Sequence, residues 1–310
     1  MASFMKIAII GAGNVGSLTA MRLAQENIGD IFLIDVVKGL AQGKSLDLED
    51  ARPILKYDYN IQGTDDVNAI KDADIIVLTA GLTRKPGMSR EELLGKNAQI
   101  VKGVSLDIKK LAADSLVIVV TNPLDLMTYV VLKTTAFSRN RILGMGISLD
   151  AARFANLIAG QLNIPTAEID ACVIGSHGEG MLPLSRFTSI KGVTLDEFLD
   201  QKKIEDLVKR TLNRGAEIVA SLGSGSAYFA PSAAVASLVK AIVKDEKRTL
   251  GLCACLNGEY GLQDVCIGVP CRIGKAGIEN IVELDLSVKE KEALLESAAN
   301  LKKQYSSIAI

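Results

Sequence analysis

Hydrophobic residues in the first half of the chain fall into short β-branched runs with almost no polar alternation. They cover residues 6–10 (KIAII), 31–35 (IFLID), 74–80 (DIIVLTA), 116–120 (LVIVV) and 141–145 (RILGM). A strand covered on one face alternates polar and apolar positions, so uninterrupted apolar runs predict parallel strands buried on both faces. A weaker strand is expected at 59–63. Between the runs, helical periodicity predicts helices over 15–26, 40–51, 91–112 and 126–135. Alternation of this kind predicts an α/β fold with a doubly wound parallel sheet. After about residue 146 the texture changes. A helix over 149–162 leads to a strand-like run at 169–175, helices over 203–221 and 233–244, strands at 249–256 and 264–270, and a last helix over 287–306. This predicts a two-part chain: 1–146 as a Rossmann-type doubly wound domain and 147–310 as an α+β domain. No linker-like stretch separates them, so tight packing is expected.

The first strand runs into GAGNVG, which sets Gly11, Gly13 and Gly16 in G-x-G-x-x-G at the start of a helix. The first glycine permits a tight turn, the second lets backbone approach a pyrophosphate, and the third lets helix and strand pack closely. The loop residues Gly11, Ala12, Gly13, Asn14, Val15 and Gly16 are the expected cofactor cradle. The next strand ends in an acid, Asp35, 19 residues after Gly16. A carboxylate there accepts from ribose hydroxyls and repels a 2′-phosphate, which favours NAD over NADP even with Lys38 nearby. The competing reading is a tight strand–helix turn that binds nothing.

Charge and composition narrow the partners. Lys+Arg 35 against Asp+Glu 36 leaves a net charge of −1, with no general pull toward nucleic acid or membrane. Trp is absent and aromatics total 4%, which disfavours base-stacking surfaces. The five cysteines, Cys172, Cys253, Cys255, Cys266 and Cys271, include no C-x-x-C, and with a single histidine no metal site is expected. They read as small buried reduced thiols. The N-terminal apolar run is too short for a signal peptide and no run reaches membrane-span length, so a cytoplasmic protein is expected.

Several polar residues exceed what their local structure requires. Ser89-x-x-Glu92 has the form of a capping box, which places Arg90 in the first turn of a helix, where the macrodipole disfavours a cation. Arg84 lies in the preceding Gly- and Pro-marked loop. Asn122 ends the 116–120 strand, at the carboxyl edge where open α/β sheets bind ligands. Asp150 and Arg153 sit three apart on one helix face, and His177 is the only histidine in the chain. Each has an ordinary alternative: solvated loop charges, an Asn-Pro turn, an intrahelical ion pair, an incidental loop histidine. Together they form a set suited to moving a hydride between a dinucleotide and a carbonyl. Histidine exchanges the hydroxyl proton, a carboxylate fixes its tautomer, and arginines polarise the carbonyl and clamp a carboxylate.

The motifs GAGNVG, RKPGMSR, TNPLD, LDAAR and SHGEGMLP resemble, in order and spacing across the whole chain, the lactate/malate dehydrogenase superfamily, particularly its lactate-dehydrogenase-like group of malate dehydrogenases. The spacing from Asp150 to His177, 27 residues, is that of the family. The resemblance implies an NAD-dependent oxidoreductase in which His177 accepts a proton, Asp150 is its partner, and Arg90 stabilises charge on the reacting oxygen. It further implies that Arg153 binds the substrate's C1 carboxylate and Asn122 helps position substrate. Asn97, Val120, Thr121 and Asn122 would border NAD. Arg84 falls at the specificity position, Gln in lactate dehydrogenases and Arg in malate dehydrogenases, which implies a dicarboxylate substrate. A homo-oligomer is expected by the same resemblance, a tetramer before a dimer. The alternatives are an L-lactate dehydrogenase and a non-catalytic NAD(H)-binding sensor. The chain departs from the family's usual H-G-D-[ST] by carrying Glu179 and Gly180 after Gly178, which bears on how the histidine loop packs.

Overall fold

The computed structural model describes residues 5–56, 58–83 and 89–308, with Arg90 described in its backbone only. The first half alternates β1 (Lys6–Ile10), α1 (Asn14–Gln25), β2 (Asp30–Ile34), α2 (Leu40–Leu55), β3 (Ile61–Thr64), β4 (Ile75–Leu78), α3 (Arg90–Leu111), β5 (Leu116–Val119), α4 (Leu124–Thr135) and β6 (Ile142–Gly144). These six strands lie in the order β3-β2-β1-β4-β5-β6 and every pairing among them is parallel. β4 and β5 are buried at every position, as their unbroken apolar runs require.

The second half holds α5 (Ile147–Leu162), β7 (Ile169–Asp170), β8 (Val173–Gly175), β9 (Met181–Pro183), β10 (Ser189–Ile190), β11 (Val193–Thr194), α6 (Gln201–Leu222), α7 (Phe229–Val243), β12 (Arg248–Asn257), β13 (Gln263–Gly274), β14 (Gly277–Ile281) and α8 (Val288–Tyr305). The parallel sheet does not end at β6. β12 joins it antiparallel through Cys253 opposite Gly144, and β13, β8 and β9 follow, with β14 on β13. A Cβ on Gly144 would lie 2.6 Å from both Cys253 Cβ and Thr128 Oγ1, so the close crossing needs glycine. α7 packs back on α1, where Arg22 Nε donates to Ser232 Oγ (3.2 Å) and Lys240 pairs with Glu26.

Two expectations are corrected. The run at 169–175 is not one strand: β7 pairs with β10 and β11 in a small separate sheet, while β8 belongs to the large one. And α2 continues past 51 to Leu55 with Pro53 inside it. Proline lacks the N–H that would bond the Glu49 carbonyl, and Arg52 Nε donates to that carbonyl instead (3.3 Å). Among the described residues no helix is long and apolar enough to cross a membrane.

Candidate active site

The glycine loop joins β1 to α1. Gly11 has φ +111°, and a Cβ on it would lie 2.5 Å from Thr79 Oγ1 and 2.8 Å from the Ala80 nitrogen. A Cβ on Gly16 would lie 1.9 Å from the Gly11 carbonyl oxygen. Both glycines are therefore required by the protein's own packing. Gly13 is different. Its φ of −67° suits any residue, and nothing stands within 4 Å of a Cβ there. Its side of the loop opens on space into which the first turn of α1 directs N–H groups with no side-chain cap and no acid among them. Free N–H groups and the positive end of a helix dipole suit a diphosphate. At the end of β2, Asp35 Oδ2 accepts from Ala12 N (2.7 Å) and Oδ1 from Val37 N (2.9 Å). A carboxylate oxygen accepts two hydrogen bonds, so each keeps a lone pair for a ribose hydroxyl. These residues fit a dinucleotide.

Asn97, Val120, Thr121 and Asn122 gather at the carboxyl ends of β4 and β5. The buried Asn97 side chain is turned inward: Oδ1 accepts from Leu82 N (2.8 Å), and Nδ2 donates to the carbonyls of Leu82 (3.2 Å) and Asn122 (2.7 Å). The buried Thr121 hydroxyl donates to the Ala80 carbonyl (2.7 Å). Both side chains thus tie the loop after β4 to the loop after β5. Asn122 is exposed and its peptide bond to Pro123 is cis.

His177 sits in the turn between β8 and β9. Its Nδ1 lies 2.7 Å from Asp150 Oδ2, and Arg153 Nη1 donates to Asp150 Oδ1 (3.1 Å). Asp150 is fully buried in the first turn of α5, where the helix N-terminus favours its charge, and each of its oxygens meets a cationic or proton-donating partner. The ionised carboxylate requires Nδ1 to carry hydrogen, so neutral His177 presents Nε2 as an acceptor. Gly146, between β6 and α5, makes room for the ring: a Cβ there would lie 3.0 Å from both Cβ and Cγ of His177. The histidine is thereby seated at the carboxyl end of β6, on the same sheet edge as the glycine loop.

Two residues that sequence reasoning did not single out complete the setting. Asp125, in the first turn of α4, is buried, and its Oδ2 accepts from the His177 backbone N–H (2.8 Å). Its Oδ1 is buried with no nitrogen or oxygen donor among the described residues, and the Cys253 thiol is its polar neighbour. Burial raises the Asp125 carboxyl to about 6, against the opposing pull of the Cys253 thiol and His177. Burial lowers the His177 imidazole, but the charges and hydrogen bond of Asp150, with Asp125 behind them, outweigh it and the net shift is upward. The second residue is Ser297 of α8, whose hydroxyl accepts from Ser176 N (3.1 Å) and donates to the Gly180 carbonyl (3.0 Å). A Cβ on Gly180 would lie 2.2 Å from Ser176 Oγ, so the departure at 180 fits this loop rather than disturbing it.

Arg90 is the first residue of α3, and its side chain is outside what the structure describes. Arg84 lies outside the described residues. The expected capping box is half present: Ser89 Oγ accepts from Glu92 N (3.0 Å), while the Glu92 carboxylate pairs forward with Lys96 (2.6 Å).

Residues 5–144 match the lactate/malate dehydrogenase NAD binding domain, and residues 147–309 the lactate/malate dehydrogenase alpha/beta C-terminal domain. The malate dehydrogenase of Methanosarcina acetivorans is 46% identical over 305 residues, 98% of this chain and 99% of the relative. Among solved structures, the malate dehydrogenase from Picrophilus torridus in its apo form superposes with a TM-score of 0.95 at 41% identity, covering 98% of this chain and 97% of that one. The malate dehydrogenase from Plasmodium falciparum in complex with NADH gives 0.91 at 37% identity, covering 97% and 98%.

Proposed function

This chain belongs to the lactate/malate dehydrogenase family, and we propose that it is an NAD-dependent malate dehydrogenase that interconverts malate and oxaloacetate. The observation that carries the reading is the buried Asp150 holding the His177 ring on one oxygen and Arg153 on the other. NAD, when bound, supplies the acceptor for the hydride leaving malate C2. His177 Nε2 takes the malate hydroxyl proton, and Asp150 stabilises the imidazolium that results. In the reverse direction the imidazolium returns that proton to the carbonyl oxygen. Arg153 keeps guanidinium donors beyond the one spent on Asp150, and these bind the substrate's C1 carboxylate bidentately. We assign Arg90 to the developing charge on the reacting oxygen, Asn122 to substrate positioning, and Arg84 to the second carboxylate. Pyruvate lacks that carboxylate and would leave Arg84 without a partner in a closed site, a penalty of about several kcal/mol. Asn97 and Thr121 are assigned to bracing the cofactor edge, with Gly11–Gly16 and Asp35 on the dinucleotide itself. Residues 1–146 form the nucleotide-binding part in this reading and 147–310 the substrate part.

We assign the protein to the cytoplasm, where its five unpaired thiols stay reduced. A homo-oligomer, tetramer before dimer, is supported by large apolar side chains left uncovered in one chain, such as Ile54 (81% exposed) on α2 and Phe229 (63%) on α7.

The test is a steady-state panel of oxaloacetate and pyruvate with NADH and NADPH. Oxaloacetate with NADH is expected to give the highest kcat/KM, and a higher value for pyruvate would replace this reading with a lactate dehydrogenase. His177→Asn is expected to lose about 10²–10⁴ in turnover. Near-full turnover in that variant refutes the proton role.

A further inference from the structure

Away from the catalytic loop, β12 and β13 place Cys255 directly opposite Cys266. The Cys255 carbonyl turns away from β13 to Arg139 Nη1 (2.9 Å), and the Cys266 N–H turns away from β12 to the Tyr305 hydroxyl (3.0 Å). Neither group joins the ladder between the two strands, so the two cysteines form a non-hydrogen-bonded pair. In such pairs the Cα atoms stand about 4.5 Å apart and both side chains leave the sheet on the same face. That separation falls inside the roughly 4.4–6.8 Å a disulfide spans.

We propose that Cys255 and Cys266 are an oxidisable dithiol, a modification site at which hydrogen peroxide converts the two thiols into an inter-strand disulfide. The two sulfurs are not equivalent. Cys255 is 8% exposed, and the Cys266 S–H, then Lys133 and Arg139, hold its thiol below the ordinary range against burial and Asp264. Cys266 is fully enclosed, and burial pushes its thiol well up. Cys255 is therefore the attacking sulfur and Cys266 the resolving one. The Cys255 thiolate attacks one peroxide oxygen, the O–O bond breaks, and a sulfenic acid forms as the other oxygen leaves as water after taking up a proton. Cys266 Sγ then attacks Cys255 Sγ, the S–O bond breaks, and the hydroxyl leaves as a second water with the Cys266 proton. Two thiols are oxidised by two electrons and one peroxide is reduced by two. The other two thiols on these strands lack such a partner. Cys253 faces Gly268, and Cys271 faces Leu250 on the opposite side of the sheet.

The experiment treats the native full chain with hydrogen peroxide, quenches it, denatures it in N-ethylmaleimide and measures mass and label position. The tryptic peptide 249–272 contains four of the cysteines, so cleavage after Glu259 is needed to put Cys255 and Cys266 on separate fragments. The expected result is loss of two hydrogens, at least about tenfold protection of Cys255 and Cys266 relative to Cys271, and fragments joined until reduced. Cys253→Ser should leave the link unchanged. Cys266→Ser should stop Cys255 at a sulfenic acid that dimedone captures. A link through Cys253, over-oxidation of Cys255 without a link, or unchanged labelling of all five cysteines would each overturn the proposal.

Discussion

Two buried carboxylates address His177 from different sides, Asp150 on the ring and Asp125 on the backbone N–H. Only the first was legible in the sequence, because its distance from His177 matches a family pattern. Asp125 lies just ahead of the helix expected over 126–135 and nothing in the sequence sets it apart from an ordinary acid near a helix N-terminus. What sets it apart is burial, which tertiary packing alone decides. Its charge still reaches the chemistry, since it helps raise the His177 imidazole. With His177 as the proposed proton acceptor, malate oxidation needs its neutral form, so activity is expected to fall as pH drops through that raised value. Asp125→Asn keeps an acceptor for the backbone N–H and removes the charge. The acid limb of kcat/KM for malate oxidation is therefore expected to move to lower pH, and a limb that stays in place refutes the coupling. Stability carries a matching signature. The folded carboxyl titrates at about 6 against 3.8, so its contribution is complete below 3.8 and is lost as pH rises through 6, on the order of 3 kcal/mol at most. Urea unfolding of Asp125→Asn should be correspondingly flatter between pH 4 and about 7.

At the scale of elements, most of the first half was legible because strands buried on both faces leave unbroken apolar runs, and β1, β4 and β5 fall where those runs lie. The division of 169–175 between two sheets was not. β7 carries the exposed Asp170 while β8 is buried throughout, but the partners that separate them come from elsewhere in the chain, β10 for one and β13 for the other. The β1–α1 turn shows how one motif mixes folding and binding. Gly16→Ala sets a Cβ 1.9 Å from a backbone oxygen and should cost about 1–3 kcal/mol of stability. Gly13→Ala meets no protein atom within 4 Å and keeps an ordinary φ. It should leave the melting temperature within a few degrees, at most about 1 kcal/mol, while weakening NADH binding severalfold as followed by fluorescence titration. Equal loss of stability in both variants would mean that Gly13 serves the fold rather than a ligand.

The whole molecule is less divisible than its sequence texture suggests. Residue 146, where the sequence texture changes, lies between β6 and α5, yet β12 continues the sheet across it and the largest buried apolar cluster runs from Ile7 to Ile308. α7 from the second half covers α1 of the first, joined by Arg22 to Ser232 and Lys240 to Glu26. The His177 turn is held the same way: Asp125 of α4 grips the His177 backbone, and Ser297 of α8 grips Ser176 and Gly180. Unfolding either half would strip β6 of its partner, expose an unpaired edge and open the shared core. Calorimetry is therefore expected to show one cooperative transition, with calorimetric and van't Hoff enthalpies agreeing once the scan is repeated at two protein concentrations to separate subunit dissociation from unfolding. Saturating NADH, which we assign to the glycine loop of the first half, should in a single cooperative unit raise the melting of everything, including the β12–β13 pair, by the same amount. Two resolved transitions, only one of which moves with NADH, would show instead that the halves fold independently and that the continuous sheet does not couple them.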